Sequence, residues 1–143
     1  SCDIVVATAS ASFVQAFSKI GLIPDCAGTY FLPRFVGLQK AAAFMMLGDK
    51  ISAAEAEQYG MIYKCYEDGL FENSVNQIAA SLAMLPTEAL MLTRTALLQS
   101  FTNSLEQQLE LEKKLQAQAG HTDDFKEGVT AFFEKRLPVF TGK

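Results

Sequence analysis

The sequence has no tryptophan, one histidine, three cysteines and four prolines among its 143 residues. His121 together with the widely spaced Cys2, Cys26 and Cys65 makes too few ligands for a structural zinc site, and there is no CxxC pair. The cysteines are read instead as reduced, mostly buried thiols of a cytoplasmic protein. Long apolar runs are also missing. Ala41–Leu47 is far short of the roughly 20 residues that a membrane span needs. A basic excess is absent as well, because 16 acidic residues against 12 basic ones leave a net charge of −4. That balance argues against a binder of the nucleic-acid backbone, whose affinity comes from a basic face. No glycine-rich phosphate loop occurs. Ser1-Cys-Asp-Ile-Val-Val has no basic n-region and no long apolar core, so it does not read as a signal peptide. It also lacks an initiator Met, which leaves processing or truncation upstream open.

Hydrophobic residues make up 50% of the chain and charged residues 20%, the balance of a globular protein, and the length suits one domain. The first 17 residues read as strand: Ile4-Val5-Val6 is a β-branched run, and Ser12-Phe13-Val14-Gln15 alternates polar with apolar. Met61–Tyr66 is a third candidate strand. The remainder leans helical. Leu38–Leu47 lies between Gly37 and Gly48, and Ser52-Ala-Ala-Glu55 has the spacing of a capping box that opens a short helix. Phe71–Met84 carries Val75, Ile78, Ala79 and Leu82 on one stripe. After Pro86 comes a helix striped by Leu90, Leu97, Leu98 and Phe101. Ser104-Leu-Glu-Gln107 opens another helix, which Gly120 ends. Thr122-Asp-Asp opens the last helix, with Phe125, Val129, Phe132 and Phe133 as its apolar positions. Ile4-Val5-Val6 has the composition of a strand buried on both faces of a parallel sheet. With no crossover upstream of it, the expectation is the C-terminal part of a larger subunit, or a chain that leans on another.

The least generic stretch is Ile20-Gly-Leu-Ile-Pro-Asp25-Cys-Ala-Gly28-Thr-Tyr-Phe-Leu-Pro33-Arg34, a loop that runs into a short helix. Asp25 is its lone acid, with Leu22, Ile23, Phe31 and Leu32 around it in sequence. A carboxylate held among apolar groups has its charged form disfavoured and suits a general base. Equally, Asp25 suits the cap of a helix beginning near Cys26, where backbone N–H groups favour its ionised form. His121 reads as a solvated loop residue, and Ser52 and Thr122 as caps. Phe44, Met45 and Met46 read as core or subunit contact.

Gly-Leu-Ile-Pro-Asp-Cys-Ala-Gly-Thr with Leu-Pro-Arg, then Leu47-Gly-Asp-Lys-Ile-Ser-Ala-Ala-Glu-Ala and Gly60-Met-Ile, resembles the enoyl-CoA hydratase/isomerase (crotonase) family. So does the tail Glu127-Gly-Val-Thr-Ala-Phe-Phe-Glu-Lys-Arg-Leu-Pro-Val-Phe, and the motifs run in family order over nearly the whole chain. The resemblance implies an α/β fold: residues 1–66 as the last turns of a ββα spiral with the active-site loop, and residues 67–143 as a helical region that trimerises and contacts CoA. Ser1-Cys-Asp3 resembles the point just after the family's first catalytic acid and oxyanion-hole glycine, which places those groups upstream. Family hydratases carry a second catalytic Glu eight residues before the position of Asp25, and here that place holds Phe17, in Val14-Gln-Ala-Phe.

An Asp directly after the Pro of Ile-Pro-Asp, with Gly120-His-Thr-Asp-Asp-Phe-Lys-Glu-Gly, resembles the branch of the family that isomerises a ring epoxide of phenylacetyl-CoA. That resemblance implies Asp25 as the proton-shuttling acid/base and Phe17 and Leu22 as substrate contacts. It further implies Phe132 and Lys135, three apart on the last helix, at the adenine and 3′-phosphate of CoA, usually on a neighbouring subunit. Read from residues alone, Phe132 is equally a core residue and Lys135 a solvated cation at a helix end. Ala27 departs from the glycine common among relatives. No metal or redox cofactor is implied, CoA entering only as part of the thioester substrate, and the assembly implied is a trimer or dimer of trimers. Two other functions stay open: an enoyl-CoA hydratase, and a noncatalytic helical oligomerisation piece.

Overall fold

The computed structural model describes residues 2–143. The chain divides into two units, one running through Asn76 and the other Gln77–Lys143.

In the first unit, strand β1 (Val6–Thr8) pairs in parallel with β4 (Lys64–Tyr66), Ala7 opposite Cys65. Strand β2 (Ser12–Val14) pairs antiparallel with β3 (Lys50–Ser52), Phe13 opposite Ile51. Between β2 and β3 come a 3-10 turn (Ala16–Ile20), helix α1 (Gly28–Val36) and helix α2 (Leu38–Leu47). Helix α3 (Ala53–Gln58) then leads to β4. The Ser52–Glu55 capping box forms in full: the Glu55 backbone N–H donates to Ser52 Oγ (3.2 Å), and the Ser52 N–H donates to Glu55 Oε2 (2.9 Å). The small core consists of Ala7, Ile51, Ala53, Ala56 and Ile62, with Phe13, Phe44, Met61 and Cys65 packed against it. Alanine at 53 and 56, both with no exposed surface, lets α3 lie directly on the strands.

Several expectations are corrected here. The parallel partner of the first strand lies downstream, because everything from β2 to α3 serves as the long crossover that parallel pairing requires. Ile4 and Val5 are exposed rather than buried on both faces, since they precede the ladder and β1 has a single neighbour. The extended stretch stops at Val14, as Ala16–Ile20 closes a 3-10 turn with the Gly21 N–H on the Phe17 and Ser18 carbonyls. Strand β3 was not expected, having a single apolar residue, Ile51. Of the three thiols, all free, Cys2 and Cys26 are exposed and Cys65 is half-buried, not mostly buried.

The second unit contains helix α5 (Thr87–Gln99), α6 (Leu105–Ala119) and α7 (Asp123–Glu134). Helix α4 (Phe71–Ala83) carries the boundary. The second capping box, Ser104 with Gln107, opens α6. Gln108 Nε2 donates to the Ala96 carbonyl (3.2 Å) and Gln118 Nε2 to Glu88 Oε1 (2.7 Å), a pairing of ascending with descending numbers that makes α5 and α6 antiparallel.

The face of α7 that its own unit covers is not the apolar one. Phe125, Val129, Phe132 and Phe133 are exposed, while Asp124 and Ala131 are buried and Gly128 is half-buried. The chain after α7 runs back along that face. The Val139 N–H donates to Glu127 Oε1 (2.8 Å), the Phe140 ring lies 3.6 Å from where a Cβ on Gly128 would stand, and the Thr141 and Gly142 N–H groups donate to Asp124 (2.7 and 2.9 Å). Asp124 is 3% exposed, and these bonds supply the partners that a buried carboxylate requires. Among the described residues, no helix is long and apolar enough to cross a membrane.

Gly48 ends α2, and there the chain passes close to the 3-10 turn. Its φ is +64°, and a Cβ there would stand 3.0 Å from Lys19 Cε, 3.2 Å from the Gln15 carbonyl oxygen and 3.3 Å from Ser18 Oγ. Gly48→Ala is therefore expected to destabilise the fold by about 1–3 kcal/mol in denaturant unfolding. Gly69→Ala, which meets nothing within 4 Å, should stay within about 0.5 kcal/mol. Equal midpoints for the two variants would refute this reading.

The tail carries a pH prediction. Hydrogen bonds from Arg136 and then the Val139 N–H hold the Glu127 carboxyl down from 4.5 to about 2. A carboxylate lowered on folding stabilises above its ordinary value and loses that contribution as pH falls through the folded one. Protection of the Val139 amide against hydrogen exchange should thus be full above pH 4.5 and fall as pH approaches 2. Constant protection across that window would refute it.

Candidate active-site loop

The 3-10 turn and the segment after it are tied by two backbone bonds, the Gly21 N–H to the Ser18 carbonyl (3.2 Å) and the Leu22 N–H to the Phe17 carbonyl (3.0 Å). Phe17 and Leu22 are thereby held together, Phe17 half-buried and Leu22 59% exposed. The loop then makes a tight turn. Cys26 and Ala27 both take left-handed backbone angles, φ +49° and +61°, and the Gly28 N–H closes on the Asp25 carbonyl at 2.8 Å. Each non-glycine residue in that region costs about 1–2 kcal/mol. The departure from glycine at Ala27 falls at a position where glycine would carry no such cost.

Neither surrounding expected for Asp25 is present. Its side chain does not cap α1, whose N-cap is Ala27 with no side-chain bond, because the turn spends two residues between Asp25 and the helix. Nor is it sheltered among apolar groups. Asp25 is exposed, and so are Leu22, Ile23 and Phe31, none of which belongs to the small core or packs against it. The carboxylate acts on its neighbour: accepting from the Cys26 thiol, and by its charge, it raises the thiol's pKa. Cys26 also lines, with Ala27, Gly28, Phe31, Leu32, Phe35 and Met61, an open apolar cavity of about 190 Å³. The loop thus sets an exposed carboxylate one residue from the wall of an apolar cavity. Among the described residues, no group of three or more His, Cys, Asp or Glu side chains could hold a metal ion.

In the second unit, Phe132 is not a core residue. It is 79% exposed and meets Phe133 edge to face, ring centroids 5.8 Å apart. Lys135 lies past the end of α7 at φ +55°, so helical spacing does not relate it to Phe132. Its N–H donates to the Phe132 carbonyl (3.3 Å) and that of Arg136 to the Ala131 carbonyl (3.1 Å), a helix ending in which glycine usually holds the left-handed place. Arg136 forms a two-bond fork on Glu127 (2.6 and 2.8 Å) and reaches Glu134 through Nε (2.6 Å). Sequence reading missed this cluster and Asp124. The sequence signal is that Glu134 and Arg136 flank Lys135, with Glu127 about two turns earlier, and it has no meaning until the tail is known to turn back.

The enoyl-CoA hydratase/isomerase family model matches residues 1–143. A 1,2-epoxyphenylacetyl-CoA isomerase of Escherichia coli K12 is 47% identical over 141 residues, 99% of this chain and 54% of the relative. A probable enoyl-CoA hydratase of Rhodobacter capsulatus is 44% identical, over 99% of this chain and 55% of that protein. Among solved structures, an enoyl-CoA hydratase subunit from Geobacillus kaustophilus superposes with a TM-score of 0.95 at 32% identity, covering 99% of this chain and 55% of that one. The chain spans about half the length of the curated relatives it matches. Motif order, whole-chain match and superposition agree: this α-rich α/β chain with a crotonase-type fold belongs to the enoyl-CoA hydratase/isomerase family.

Proposed function

We propose that the protein isomerises a CoA thioester, shifting a double bond or rearranging a ring epoxide, with Asp25 as the single proton-shuttling carboxylate. The observation that carries this reading is the placement of Asp25 on a strained turn beside an apolar cavity, while the place of the second hydratase acid holds Phe17. The similarity to a relative named an isomerase supports it.

The chemistry follows from the thioester. Removal of a proton beside its carbonyl leaves an electron pair that delocalises onto the carbonyl oxygen, where preorganised N–H donors stabilise it. Asp25 takes that proton as the C–H bond breaks, holds it as a carboxylic acid, and delivers it to a different carbon as the pair returns. One carboxylate suffices and no water is consumed. Phenylalanine at position 17 suits such a site, because it excludes the water that a hydratase must hold. In this reading, the oxyanion donors and the cover over Asp25 come from the part of the family fold that this chain does not span. The exposed Leu22, Ile23 and Phe31 are the surface so covered.

Phe132 and Lys135 are the proposed contacts for the adenine and 3′-phosphate of CoA, and a lysine serves a phosphate well as a point charge. The open apolar face of α7, Phe125, Val129 and Phe132, is the proposed contact with further subunits in a trimer or dimer of trimers. A cytoplasmic location is part of the same proposal.

Asp25→Asn in the whole protein should lower isomerase turnover by about 10²–10⁴-fold while leaving the affinity for the CoA ester in place. Full turnover in that variant would overturn the role of Asp25. The similarity to a relative named a probable hydratase favours a second reading, hydration. Supplying a 2-enoyl-CoA distinguishes them: a shifted double bond is expected, and accumulation of the 3-hydroxy ester would favour the hydratase.

A further inference from the structure

Two cations stand side by side at the end of α7, and only one is engaged. Arg136 donates four hydrogen bonds: to Glu127 Oε1 and Oε2, to Glu134 Oε2, and to the Leu137 carbonyl at 3.2 Å. Two carboxylates engage its guanidinium, so its charge is more than matched, and four hydrogen bonds draw on its five N–H groups. Among the described residues no ion pair involves Lys135, which is exposed and held in a left-handed conformation. The same Glu127 carboxylate also receives the Val139 N–H. The backbone is therefore anchored just after Lys135 through Arg136 and again further along the tail, both times onto α7.

We infer that Glu127 and Glu134 are positioning residues: they hold Arg136 and so fix the turn that presents Lys135 as a cation for a phosphate monoester. This rests on the reading of Lys135 as the contact for the 3′-phosphate of CoA. The arrangement has a physical logic. Clamping Arg136 with two carboxylates makes its side chain a fastener for the residue that follows Lys135. A lysine in a left-handed turn keeps its direction only while the residues on either side are fixed, since that conformation is disfavoured in an untethered chain.

The test compares the dissociation constants of an unreactive CoA thioester and its 3′-dephospho counterpart, measured by calorimetry on the whole protein. The quantity of interest is their ratio, which isolates the phosphate contact from general damage to the site. The native protein should favour the phosphorylated ligand by about tenfold, the worth of one charge-assisted contact, and Lys135→Ala should bring the ratio close to one. Glu127→Gln, which takes the charge from the two-bond fork, should lower the ratio by about threefold or more, and Glu134→Gln, which weakens a single exposed bond, should lower it less. Glu134→Gln keeps the test open should Glu127→Gln fail to fold, as judged by thermal unfolding. A ratio unmoved by Lys135→Ala overturns the underlying reading of Lys135. A ratio that falls in Lys135→Ala yet is unchanged, or raised, in every glutamate variant that folds overturns the positioning role alone.

Discussion

Two consecutive non-glycine residues in the left-handed region, Cys26 and Ala27, turn the chain between Asp25 and α1, and the candidate site depends on that turn. A conventional N-cap at Asp25 would have bound the carboxylate to the helix's own N–H groups. The turn inserts two residues, hands the capping position to an alanine that cannot use it, and leaves the Asp25 carboxylate outward. It also puts Cys26 and Ala27 into the wall of the apolar cavity beside the carboxylate. A conformation that costs about 1–2 kcal/mol at each residue persists only where its surroundings fix it. Here the Asp25 carbonyl accepting the Gly28 N–H, and the Ala27 carbonyl accepting those of Tyr30 and Phe31, hold both ends.

The second unit uses the same device at the far end of a helix. Lys135 is left-handed where glycine is usual, and the Glu127–Arg136 fork and the tail hold it there. The tail also explains why the polar side of α7 is the covered one. Backbone N–H groups of a returning strand-like segment need acceptors, and Asp124 and Glu127 supply them at one-turn spacing, with Gly128 leaving room for Phe140. The apolar side, Phe125, Val129, Phe132 and Phe133, is left exposed.

Much of this was legible in the residues. The helix Leu38–Leu47 and both capping boxes appear where spacing put them, because N-cap signals are local: the donor, acceptor and spacing lie within four residues. The family could be read from short motifs in order, each weak alone. What escaped was non-local. Strand β3 has three residues and one apolar side chain, so its partner β2, not its own pattern, makes it a strand. The parallel pairing of Val6 with Lys64 spans a crossover that no window of sequence contains. Asp124 read as a helix-dipole residue because the tail that buries it lies 17 residues on. The surroundings of Asp25 were misjudged for a related reason: apolar neighbours in sequence give no shelter when, like Leu22, Ile23 and Phe31, they stay exposed and outside the small core.

The central claim is that Asp25, open in this chain, meets the carbon skeleton of a thioester in the whole protein. The most direct measurement is a crystal structure of the whole protein with an unreactive CoA thioester bound. The account predicts an Asp25 carboxylate oxygen within about 3.5 Å of a carbon that gives up or receives the proton. A carboxylate still facing bulk solvent, with the ligand's acyl chain seated elsewhere, would contradict it.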